Sequence, residues 1–147
     1  MAEQFVDFTE LTELAADLRS VAFDSGENIV KAVEVSAVNV RDSWRDKLKG
    51  SETVPRGARS VTYDMGANES YIRQALTGNG GASEVYAEIG PELGVAGGQG
   101  AIVGMLEYGT PTTGPRGFGL EALRENEEDF ERGITMAVDA AMREKNL

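Results

Sequence analysis

The chain has 147 residues, no cysteine, no histidine and a net charge of −11. The two absences exclude disulfides, thiolate and imidazole nucleophiles, and cysteine or histidine metal sites. The charge gives no general basic footprint for gripping nucleic acid, and the length suits a single domain spanning 1–147 with its own core.

At the start, MAEQFVDFTE is acidic and lacks the basic opening and apolar stretch of an export signal, so the expectation is synthesis in the cytoplasm without export by the usual route. No apolar run approaches the ~20 residues that cross a bilayer. Asp7-Phe8-Thr9-Glu10 fits a capping box, and Leu11, Leu14, Leu18 and Val21 follow at helical spacing. A first helix is predicted over about 8–22, ended by the breaker cluster Asp24-Ser25-Gly26. Ile29, Val33, Ala37, Val40, Trp44 and Leu48 then fall on one stripe and predict a second helix, stopped by Gly50. Its many valines lower helix propensity, so packing must hold it.

A loop with Pro55 and Gly57 leads to three extended candidates: Arg59–Met65, about Tyr71–Thr77, and Ser83–Gly90. In the third, Val85, Ala87 and Ile89 alternate with Glu84, Tyr86 and Glu88, the period of a half-buried strand. Glycine-rich stretches bracket that strand between 78 and 100 but contain neither a G-x-G-x-x-G nor a P-loop pattern. They read as hairpin and excursion loops. Ala101–Tyr108 is a short apolar segment with one buried-looking acid, Glu107, and Gly109-Thr110-Pro111 stops it. After a loop with an exposed-looking Phe118, the last helix is predicted over about 120–145, with Leu123, Phe130, Ile134, Val138 and Met142 on one face. The expected class is α+β: a small antiparallel sheet packed against N-terminal helices (1–50) and a long C-terminal helix (120–147), with sheet and Gly-rich loops over 51–119.

Charge is unevenly placed. Residues 1–25 carry one Arg against six acids, 40–60 carry six basic residues against three acids, and 119–147 carry four against eight. Acidic ends and a basic waist could suit pairing between copies, but solvated faces are the simpler reading of the charges alone. RDSWRDKLK over 41–49 has a faint nucleic-acid look that Asp42 and Asp46 dilute. Glu107 is the one acid placed to serve as a general acid of raised pKa, but no second catalytic group accompanies it. It can equally pair with Arg59 or Arg116, or with backbone N–H groups of the following turn. Residue chemistry alone therefore indicates a non-enzyme without a cofactor or metal.

Ile102-Val103-Gly104-Met105-Leu106-Glu107-Tyr108-Gly109-Thr110 resembles the aliphatic–Glu–aromatic–Gly–Thr signature of the minor tail component, or tail-completion, family of long-tailed bacteriophages. Gly114-Pro115-Arg116-Gly117-Phe118-Gly119-Leu120 stands where that family has a Pro- and Arg-containing loop opening the last helix. Val40–Trp44, Pro55–Val61 and Val85–Pro91 are similar to the family's helix end, its link into the first strand, and its strand ending in a Gly-Pro turn. The likeness runs in order through 40–145, about 70% of the chain.

The resemblance implies a virion protein of the tail or neck, assembled in the host cytoplasm. It implies a ring at the head–tail joint or the top of the tail tube, with six-fold symmetry expected and twelve-fold the alternative. The implied partners are other copies of itself, the tail terminator or tube protein, and neck connector proteins. Genome DNA passes through without specific binding, and no membrane is involved. The expected subunit-interface residues are Arg56, Arg59, Arg116 and Phe118, while Glu107, Gly109 and Thr110 are expected to keep the turn. Three alternatives stand beside this: a tail-terminator ring subunit, an acidic DNA-mimic or inhibitor protein, and a small enzyme using Glu107.

Overall fold

The computed structural model describes residues 8–67 and 85–147. In chain order these form α1 (Phe8–Leu48), a 3-10 turn η1 (Gly57–Ser60), β1 (Val61–Ala67), β2 (Val85–Pro91), α2 (Gln99–Tyr108) and α3 (Phe118–Glu144). The class is α+β, with a two-stranded antiparallel sheet and a long C-terminal helix.

The expected break at Asp24-Ser25-Gly26 does not occur. α1 continues unbroken through 41 residues, about 62 Å of helix. Ser25 and Gly26 are buried, and the reason is tertiary. A glycine inside a helix costs about 1 kcal/mol relative to alanine and does not by itself end one. α1 and α3 run antiparallel, with Lys47 reaching Glu121 and Glu125, Ser43 meeting Asn126, and Gly133 facing Ala32. Continuing that register brings Ala141, fully buried, opposite residues 24–26.

The face of α3 also differs from expectation. Its buried line is Gly119, Ala122, Ala137 and Ala141, all small, whereas Leu123, Phe130 and Met142 remain substantially exposed. Small residues let the two helix backbones approach closely, which rolls the large side chains to the flank. Gly119 marks the tightest point, since a Cβ there would sit 2.7 Å from the Trp44 ring.

β1 and β2 pair from Val61↔Pro91 to Ala67↔Val85. The period-two expectation for the later strand is realised: Val85, Ala87 and Ile89 turn to the half-buried face, and Tyr86 and Glu88 to solvent. The first strand begins at Val61 rather than Arg59, because 57–60 wind into η1. The middle candidate, Tyr71–Thr77, lies outside the described residues, as does the Asp7 cap. Two strands, not three, are therefore found among the described residues.

The apolar segment within the expected sheet region is a helix, α2, which buries Val103 and Glu107 four residues apart on one side. The core gathers Val40, Trp44, Leu48, Val54, Val61, Val103 and Ala122. It lies where the C-terminal end of α1 meets η1, the sheet, α2 and the start of α3. Arg45 ties sheet to helix, its Nε donating to the Val61 carbonyl at 2.8 Å. Among the described residues no helix is long and apolar enough to cross a membrane.

Candidate functional site

The residues of the signature stretch converge on one corner. Helix α3 opens after Gly117 with no side-chain cap from its own first turn. The cap comes instead from Glu107, twelve residues upstream of Gly119. Its Oε2 accepts the Gly119 N–H at 2.8 Å, and its Oε1 accepts the Leu120 N–H at 3.1 Å. Both carboxylate oxygens are thus spent on N–H groups that have no partner within the helix. A negative charge at this position also complements the helix dipole. Burial of Glu107, 8% exposed, keeps water from competing for these bonds.

The intervening loop closes around that contact. Gly109 caps the end of α2 at φ +81°, its N–H donating to the Met105 carbonyl at 2.8 Å. A Cβ at Gly109 would lie 2.9 Å from both the Pro115 nitrogen and the Thr113 carbonyl oxygen, so only glycine fits. Thr110 and Thr113 form an isolated bridge, and the Thr113 N–H also donates to the Thr110 Oγ1 at 3.1 Å. The Arg116 N–H then donates to the Leu106 carbonyl at 2.7 Å. Trp44, 4% exposed, packs over Gly119 at the same corner. Its Nε1–H has no acceptor among the described residues, so this side chain acts through its area.

The four expected interface residues do not come together. Arg56 and Arg59 are exposed on and beside η1, and Arg116 is exposed in the loop before α3. None of these three side chains forms an ion pair among the described residues. Phe118 is a correction: it is the first residue of α3, not a loop tip, and it packs half-buried against the core. The helix begins two residues earlier than its apolar periodicity indicates, because Glu107 supplies the missing cap.

Of the basic waist, most members are already engaged. Arg41 pairs with Asp42 and lies over the Tyr63 ring, Lys49 pairs with Asp46, and Arg45 holds Val61. Lys47 bridges to α3 through Glu125 at 2.7 Å and Glu121 at 3.4 Å. Its pKa is raised, chiefly by the hydrogen bond to Glu125, which outweighs an opposing effect of desolvation; the hydrogen bond to Glu121 and the charges of both acids add to the rise. The remaining open basic feature is a hollow of about 440 Å³ that includes Arg45, Lys49 and Arg59 but also Asp42 and Asp46.

A larger surface feature escaped the sequence. Between β2 and α3, floored by α1, runs an apolar groove made of two adjoining hollows of about 500 and 510 Å³. The two share Val40, Ile89, Leu120 and Leu123. Spacing put Leu123 and Phe130 on one face of the last helix without indicating that this face stays open. The signal for the groove is the stripe of small residues, Gly119, Ala122, Ala137 and Ala141, which displaces the large ones. Among the described residues no cluster of three or more acidic side chains is placed to hold a metal ion.

Comparison with protein-family models, with curated proteins and with solved structures finds no match to this chain.

Proposed function

We propose that this chain is a structural subunit of a long-tailed bacteriophage virion, forming a ring at the head–tail joint or the top of the tail tube. The observation that carries the proposal is the locked corner. The residues that resemble the tail-completion signature each have a mechanical task there: Glu107 caps α3, Gly109 makes the turn, Thr110 closes the loop, and Gly119 admits Trp44. A carboxylate with both oxygens committed to backbone donors is suited to holding two helices at a fixed angle, not to proton transfer.

Surface charge supports the same proposal. A head-to-tail ring uses two different faces of each subunit, and unpaired Arg56, Arg59 and Arg116 are available to meet the acidic side of a neighbour. Glu127 and Glu131 are exposed on α3, with Glu128 and Asp129 partly neutralised by Arg132. A net charge of −11 disfavours close contact with phosphate, so DNA slides past such a ring without being gripped.

Deleting the coding sequence from the phage or prophage genome that carries it tests the proposal. The expected outcome by electron microscopy is filled heads and finished tails that fail to join. Normal virions in undiminished number overturn it.

A further inference from the structure

We propose that the N-terminal arm of α1, through Leu14 and Leu18, docks into the apolar groove between β2 and α3 of a second copy of this chain. The contact would link successive subunits, and in that sense the inference rests on the ring proposed above.

The arm is defined by the lengths of two helices. In the antiparallel register that sets Gly133 against Ala32, the end of α3 at Glu144 falls opposite residue 21. Residues 8–20 therefore project past it, roughly 20 Å of helix. Side chains 12–18 are all exposed there. Leu14 is 43% and Leu18 51% exposed, and they lie four residues apart on one face. By spacing, that face continues the stripe that Ser25 and Val33 bury further along α1. The apolar seam thus runs on after its covering helix has ended.

The groove has the complementary form. Leu123 is 52% and Phe130 37% exposed along it, and its floor runs from Val33 to Trp44 on α1, roughly 16 Å. This is about three helical turns, a length that the arm's roughly 20 Å of helix can span. An amphipathic helix laid into an apolar groove is a standard recognition mode, read out by anchors three and four residues apart. Charge agrees with this occupant. Glu13 and Asp17 flank the arm's leucines, and the groove's lining includes Arg116 and Arg124, which form no ion pairs among the described residues. The lining acids are Glu127 and Glu107, the latter already committed to Gly119 and Leu120.

A chain's own arm cannot reach its own groove. The arm and the groove floor belong to one unbroken helix, and Leu18 lies roughly 22 Å along the axis from Val33. Only another copy can bring an arm to that face. The contact uses a different surface on each partner, so repetition generates a ring where the rotation closes and an open chain where it does not.

The natural absence of cysteine makes the test direct. Two full-length variants, Leu18→Cys and Leu123→Cys, are purified separately, mixed and oxidised. The expected result is a disulfide-linked heterodimer at least tenfold more abundant than when Leu18→Cys is mixed with Asp139→Cys, an exposed control position. Equal yields overturn the inference. In a second measurement, Leu14→Glu/Leu18→Glu should weaken self-association about tenfold or more by sedimentation, with an unchanged circular dichroism spectrum. Unaltered association overturns the docking. Closed rings without the Leu18–Leu123 cross-link would defeat the arm contact and leave the ring standing. Cross-linked open chains that never join heads to tails would do the reverse. Cross-linking of Leu123→Cys to a tail or neck protein in place of the arm would also overturn the inference.

Discussion

Residues 33–48 of α1 bury one face, Val33, Ala37, Val40, Trp44 and Leu48, whereas residues 12–18 of the same helix are exposed on every side. Both stretches carry apolar residues at steps of three and four. The difference lies in what the rest of the chain brings to each. At the enclosed end Trp44, Leu48, Val61 and Val103 meet in one cluster, and the capping carboxylate of Glu107 fixes α3 beside it. At the other end α3 has already stopped. A helical stripe states that something will cover it, without stating whether the cover comes from the same molecule.

The contrast makes the enclosed end sensitive to single changes and the arm indifferent to them. The largest effect is expected at Glu107→Ala, which leaves the N–H groups of Gly119 and Leu120 without their acceptor. The loss should be about 3 kcal/mol in urea unfolding. Glu107→Gln, which keeps one acceptor oxygen, should recover part of it. Gly109→Ala should cost about 2 kcal/mol, because the new Cβ meets the backbone of Thr113 and Pro115 at a positive φ. Leu18→Glu, by contrast, should alter the stability of the isolated subunit by no more than about 0.5 kcal/mol. A loss as large as that of Glu107→Ala would show that the arm is internally packed and erase the distinction between the two ends.

The smallest effect concerns Lys47. Its folded-state pKa is raised above 10.5 by Glu125 and Glu121. A raised lysine pKa stabilises the fold fully below the unfolded value, and that contribution disappears as pH climbs through the folded value. The stability difference between the parent chain and Lys47→Met should therefore hold constant from neutral pH to about 10 and shrink above 10.5. A difference that persists into stronger alkali would assign the effect to the packing of the lysine stem.

The α+β class, the later strand and the existence of the last helix were legible because they depend on local period. The alternation of Val85, Ala87 and Ile89 is a property of seven consecutive residues. The continuity of α1 was not legible. Asp24-Ser25-Gly26 reads locally as a breaker, and the burial of Ser25 and Gly26 within an unbroken helix is a tertiary fact. The buried line of α3 was not legible for the same reason: large apolar residues dominate a periodicity pattern, yet the line that packs inward is Gly119, Ala122, Ala137 and Ala141. Glu107 was singled out as a buried acid in an apolar segment, with backbone N–H groups among its possible partners. Its two donors belong to a helix that starts beyond a loop, and that is a tertiary fact.

Trp44 is the chain's single tryptophan, and it rests on Gly119 at the corner where α1, α2 and α3 are joined. Intrinsic fluorescence is thus a reporter placed by the fold itself. Its emission will follow the seating of the C-terminal helix without any label, and will shift to the red when that joint opens to water.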